Sequence, residues 1–195
     1  MAVSEKAIKT LSSSLPCAKD STVAHTAGSV DLDGFPPAVK NKAVFYPLQT
    51  VSRGRDIDFR NVPILIEGSN NQSLAAVRRA AEIISDNVHE VDSVRRAMVH
   101  VSAVFVSNFT NYMYTIGEML LKEAGEDFSL LKPLIVETAL KAVEAESPRD
   151  VQTGPAMRND FQTKSLHCEL LEQKPDLKNI YINLSNNIWE TSKKI

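Results

Sequence analysis

A chain of 195 residues, 43% of them hydrophobic, is large enough to bury a sizeable core as one large domain or two small ones, which excludes a disordered segment. With 22 Lys and Arg against 24 Asp and Glu the net charge is −2, so the chain has no basic footprint for nucleic acid or an anionic membrane, and a small molecule or a protein is the expected partner. Cys17 and Cys168 stand far apart and form no CxxC pair, which excludes a disulfide framework or zinc site and predicts buried, reduced thiols. No basic-then-apolar leader and no apolar run of about 18 residues is present, so a cytoplasmic location is expected.

The opening MAVSEKAIKTLSSSLP reads as the end of a strand running into a helix at 6–15, with no α/β unit before it; on this reading the chain begins inside a domain. Short runs rich in β-branched or aromatic residues follow at Thr22-Val23-Ala24-His25, Ala43-Val44-Phe45-Tyr46, Val62-Pro63-Ile64-Leu65-Ile66 and 88–91, bounded by turn residues such as Gly28, Pro47 and Gly68. Between the last two, Leu74, Val77, Ala80, Ala81 and Ile84 recur at helical spacing over 72–84. Strands separated by helices predict an α/β layer over 1–92. Beyond it the strand signals stop. A long apolar-rich helix is expected over 93–122, ending before Gly125, and a second is capped by Asp127 or Ser129 and runs to 145, with Pro133 tolerable near its first turn. Two more are expected over 155–172 and 175–190, the last carrying a stripe of Leu177, Ile180, Tyr181, Leu184 and Ile188. Residues 93–195 therefore read as an all-α domain.

The seven glycines stand at 28, 34, 54, 68, 117, 125 and 154, and no two are separated by a single residue, so the chain has no GxGxxG loop for a pyrophosphate. Three other segments concentrate polar groups. His25-Thr26-Ala27-Gly28-Ser29 leaves a strand, where it can orient a ligand or form a plain turn beside a core histidine. Phe45-Tyr46-Pro47-Leu48-Gln49-Thr50 also leaves a strand and offers the donors and acceptors of Gln49 and Thr50, or is a strand exit stiffened by Pro47. In Gln152-Thr153-Gly154-Pro155-Ala156-Met157-Arg158-Asn159-Asp160, Thr153 can cap a helix starting at Pro155. Arg158 would then sit in its first turn, against the helix dipole, and either bind an external anion or pair with Asp160. On the long helix, offsets of 8 and 11 place His100, Asn108 and Asn111 on nearly one face. His25, His100 and His167 lack HxxxH or HxH spacing, so no metal site is expected.

Taken together, HTAGS, FYPLQTVS, DFRNVPILIEG, RRAMVHVSAVFVSNFTNYMY, LLKPLIVETALKA and QTGPAMRNDFQTKSLH resemble a family of bacterial Rossmann-like proteins that join a nucleotide-binding domain to a helical domain of unknown function, number 2520. The family is similar to pyrroline-5-carboxylate reductase, ketopantoate reductase and the deazaflavin-dependent NADP oxidoreductases. The resemblance implies α/β followed by all-α: a partial Rossmann-like sheet, its N-terminal half missing, and a helical domain like that of 6-phosphogluconate dehydrogenase-type enzymes, which dimerises and completes a substrate cleft. It implies that Ser4 lies at a strand end close to the cofactor, that His25, Gly28, Pro47, Gln49 and Thr50 line the cleft, and that His100, Asn108, Thr153, Gly154, Arg158 and Asp160 face it from the helical side. The expected function is that of the C-terminal portion of an NAD(P)-dependent oxidoreductase acting on a small anionic substrate. His100 or His25 would donate the proton and Arg158 would anchor the anion, with NADP or NAD bound by the intact protein and none by this chain alone. A homodimer is expected. The alternative is a non-catalytic dimerising or ligand-sensing module built from the same fold.

Overall fold

Among the described residues, four strands form one mixed sheet in the order β1-β2-β3-β4: β1 (Thr22–His25), β2 (Asn41–Pro47), β3 (Ile64–Gly68) and β4 (Val88–Glu90). The computed structural model describes residues 1–14, 20–52 and 54–193, so Cys17 and the end of the first expected helix lie outside the described residues. β1 runs parallel to β2, with Thr22 opposite Asn41 and His25 opposite Val44. β2 and β3 are antiparallel, with Ala43 opposite Gly68 and Pro47 opposite Ile64. This reversal follows from the connection between them, whose described residues carry a 3-10 turn at Phe59–Asn61 and no crossover helix to return the chain for parallel pairing. The Leu48 amide closes that connection by donating to the Pro63 carbonyl at 2.8 Å. β3 and β4 are again parallel, joined through α2 (Asn71–Ile84).

α2 opens with a capping box in which the Asn70 side chain accepts from the Ser73 amide and Ser73 Oγ accepts from the Asn70 amide. Val77 and Ala81, one turn apart, seal the helix against Ala43, Ile64 and Ile66 in the main core. The helix lies close because Gly68 presents no side chain: a Cβ there would stand 2.4 Å from the Leu74 nitrogen. A smaller core on the other side joins Ile8 of α1 (Glu5–Ser14) to Val23 and Phe35.

After β4 the chain is helical. α3 (Ser93–Ala103) is capped by Asp92, whose carboxylate accepts from the Arg95 amide at 2.8 Å. Val104–Phe109 then forms a π-helical turn before α4 (Thr110–Glu123), where a single α-helix was expected over the whole stretch. α5 (Lys132–Glu144) has Pro133 in its first turn and follows a 3-10 turn capped by Asp127. α6 (Phe161–Leu170) starts later than the expected 155: residues 155–159 are a turn, Asn159 is left-handed (φ 50°), and Asp160 rather than Thr153 provides the cap. The Asp160 carboxylate accepts from both the Thr163 amide, at 3.0 Å, and the Thr163 hydroxyl, at 2.7 Å, two bonds that a cap at Thr153 would not have. α7 (Pro175–Ser192) packs on α6 through Tyr181, whose hydroxyl lies 2.9 Å from His167 Nδ1. The chain divides into two compact units, Met1–Asn111 and Tyr112–Ile195. Among the described residues no helix is long and apolar enough to cross a membrane.

Candidate active site at the end of strand β2

A buried ion pair sets the position of α3. Arg96, 1% exposed, donates to Glu67 at the end of β3, to the Val30 carbonyl at 2.5 Å and to Ser93 Oγ at 3.1 Å, while Ser93 Oγ donates to Glu67 at 2.8 Å. A guanidinium with several fixed acceptors holds the helix in rotation as well as height. His100 stands one turn further along the same helix, and its Nδ1 lies 3.0 Å from the Tyr46 hydroxyl on β2.

Gly28 lies under this pair. A Cβ at that position would be 2.6 Å from His100 Nδ1 and 2.9 Å from Tyr46 Cζ, so the turn after β1 must carry glycine for the two rings to meet. Burial pushes the Tyr46 phenol above its ordinary value, and the nearby Glu5 carboxylate adds to the effect, so the hydroxyl remains a proton-bearing group. Glu5 is itself held by Ser29, whose hydroxyl donates to it at 2.5 Å.

Tyr46 and His100 open onto a cleft of about 590 Å³, within the usual range for small-molecule sites. The strand side is Tyr46, Leu48, Gln49 and Thr50, at the carboxyl end of β2, where ligands of open α/β sheets bind. The helix side includes Val99, His100, Val104, Val106, Ser107 and Asn108. Among the described residues, no Asp, Glu, Lys or Arg lines it. The π turn explains which polar residues reach it. Its wider turn advances each residue by less than the 100° of an α-helix, which brings Asn108 back onto the His100 side and carries Asn111 off it.

His25 does not share this cleft. It is 0% exposed, its ring stacks on Phe35 at 5.1 Å, and its Nδ1 accepts from the Ala27 amide at 3.2 Å, which leaves the proton on Nε2. Burial holds this imidazole below its ordinary value; the Asp31 backbone opposes the shift, and the charges of Arg96 and the N-terminal amine add to it. The unfolded chain therefore binds a proton more readily than the folded one. The stability due to neutral His25 is complete above the ordinary imidazole value of about 6.5 and declines as pH falls below it. Urea unfolding midpoints should fall between about pH 6.5 and pH 5, before the carboxylates titrate, and His25→Asn should flatten that segment. A wild-type midpoint constant over that range would show that His25 protonates freely in the folded state.

Among the other expected site residues, Pro47 ends β2 beside the cleft and Ser4 is exposed before α1, its carbonyl accepting from the Ala7 amide. Thr153, Gly154, Arg158 and Asp160 belong to the second unit. Arg158 is exposed in the turn before α6 and makes no ion pair among the described residues, since the Asp160 carboxylate is engaged in the cap. The Thr163 hydrogen bonds, and more weakly Arg158, hold that carboxyl below its usual range. Cys168 is a free, half-buried thiol rather than a buried one. Arg96 and Glu67 are the structural pair that sequence reasoning missed; an arginine four residues before His100 within the apolar SVRRAMVHV was the available signal.

A sheet crossed by α2, a cleft at the end of a central strand and a helical region after it define a Rossmann-like α/β protein. The chain belongs to the family described as a domain of unknown function (DUF2520), which residues 62–188 match. It is similar to a candidate NADP oxidoreductase, BF3122, from Bacteroides fragilis, with 36% identity, a TM-score of 0.89, and 97% of this chain and 73% of that one covered. Its fold is also that of protein TM1727 from Thermotoga maritima, with 20% identity, a TM-score of 0.80, and 99% and 77% of the two chains covered. A search among curated proteins found no match. The fold is thus oxidoreductase-like.

Proposed function

We propose that this chain is part of an NAD(P)-dependent oxidoreductase whose reacting centre is the Tyr46–His100 cleft. The observation that carries this reading is the convergence of three elements on one proton-bearing pair: Gly28 after β1 makes room, β2 supplies Tyr46, and the Arg96 clamp fixes His100 beside it. The cleft fits a nicotinamide-sized ring and a small substrate, whereas the sequence offers no glycine loop for the pyrophosphate. Gln49 and Thr50, with the Gly28 turn, would hold the nicotinamide end, and the dinucleotide, when bound, supplies or accepts a hydride. His100 holds the proton that balances such a transfer, Tyr46 orients its imidazole through Nδ1, and the apolar walls exclude water. Exposed apolar side chains on α5, among them Leu134, Val136, Leu140 and Val143, support association of two copies through the helical unit.

The same ligand-sized cleft also fits a second reading, a ligand-sensing module without catalysis. Nicotinamide fluorescence during NADPH titration separates the two, using the chain alone and the chain joined to a strand–GxGxxG–helix segment. Binding by the joined protein only, weakened at least tenfold by Gln49→Ala, supports the oxidoreductase. Absence of binding in both supports the module.

A further inference from the structure

The cleft has a marked chemical character of its own. It is walled by Leu48, Val99, Val104 and Val106, no Asp, Glu, Lys or Arg among the described residues lines it, and the Glu5 carboxylate acts on Tyr46 at its polar end. An anion entering it would give up hydration against this apolar wall without gaining a lysine or arginine among the described residues, which is costly in a site of this kind. Besides Gln49, Thr50 and the serine hydroxyls, the polar groups that reach it are the Tyr46–His100 pair and, two turns beyond His100 on the helix side, the Asn108 side chain, which makes no hydrogen bond among the described residues. Asn108 is in place only because the helix adopts π geometry between Val104 and Phe109, and such turns recur at functional sites.

We infer that the cleft selects an uncharged, mostly apolar molecule with a carbonyl-type acceptor, held between the Tyr46–His100 pair and the Asn108 amide. This rests on the oxidoreductase reading for its placement of the reacting end and adds the class of substrate. Asn108 is the residue that sets specificity: its NH₂ donates to the acceptor, and the valines cover the rest.

The test uses two probes of one shape and different charge, cyclohexanecarboxamide and cyclohexanecarboxylate, titrated into the full chain and followed by the ring resonances of His100 and Tyr46 and the side-chain amide of Asn108. The expected result is saturable shifts with the carboxamide, at least tenfold tighter than with the carboxylate. Both Asn108→Leu and Asn108→Asp should weaken the carboxamide about tenfold, a factor equal to about 1.4 kcal/mol and within reach of a single hydrogen bond. Because Asn108 is exposed, neither change disturbs a core. Equal or tighter binding of the carboxylate at these resonances, absence of binding by both probes, or indifference to Asn108 would overturn the inference. The NADPH titration is read separately, so its failure alongside a preserved preference for the carboxamide removes the oxidoreductase reading and leaves the neutral site standing.

Discussion

Glu67→Ala should lower the unfolding free energy by about 3–5 kcal/mol, because it strands the Arg96 guanidinium in the core without its counter-charge. For a chain of this size that corresponds to a fall in Tm of roughly 6–20 °C. The Val30 carbonyl and Ser93 hydroxyl remain as acceptors but carry no charge. Arg96→Met should cost less, since Glu67 is the more exposed partner and can hydrate. In the Glu67→Ala/Arg96→Met double variant much of the loss should be recovered, which thermal unfolding of the four proteins measures as a coupling energy. A Tm unaffected by Glu67→Ala would mean that the neutral acceptors alone satisfy the buried charge.

Gly28→Ala should break the candidate centre while leaving the sheet intact. The added methyl would lie 2.6 Å from His100 Nδ1, 2.8 Å from Cγ and 2.9 Å from Tyr46 Cζ, all closer than real Cβ contacts allow. Neither ring can yield easily, since Tyr46 belongs to a paired strand and His100 to a helix held in rotation by Arg96. The expected cost is about 1–3 kcal/mol from overpacking, together with about 0.5–1.5 kcal/mol from the lost Tyr46–His100 bond. His100 ring resonances should move, and His100→Ala in the same protein should restore much of the stability by returning the space. If the double variant is no more stable than Gly28→Ala alone, the methyl is clashing elsewhere.

The parts of this molecule legible in the sequence are those written in local pattern. The alternation of Val23 and His25 and the spacing of Val77 and Ala81 specify β1 and α2 because each buried residue recurs at the period of its own element. The strand-end position of Gln49 and Thr50 was visible for the same reason, and the match to the DUF2520 family agrees with the resemblance of the motifs. What escaped depends on partners distant in sequence or on deviations from ideal geometry. In the sequence Thr153 reads as the cap of α6, and the two bonds between Asp160 and Thr163 place the cap seven residues later. The ion pair joins residues 29 positions apart, so no periodicity links Glu67 to Arg96. Phase counting along an ideal helix grouped Asn108 with Asn111; the π turn separates them, and no composition rule marks its place. His25 was legible as either a ligand-orienting group or a core histidine, and stacking on Phe35 with a bond from the Ala27 amide makes it the second, buried in its neutral form.

The absence of Asp, Glu, Lys and Arg from the described lining of the Tyr46–His100 cleft also governs how a ligand arrives. Charged clefts focus field lines, raise the local concentration of their ligands and lose that advantage as ionic strength rises. A cleft bounded by valines, amides and hydroxyls exerts little such pull, so capture proceeds by ordinary diffusion and discrimination takes place after entry, through residence time. Its occupancy should therefore be nearly the same in dilute and concentrated salt and should follow the free concentration of the ligand itself.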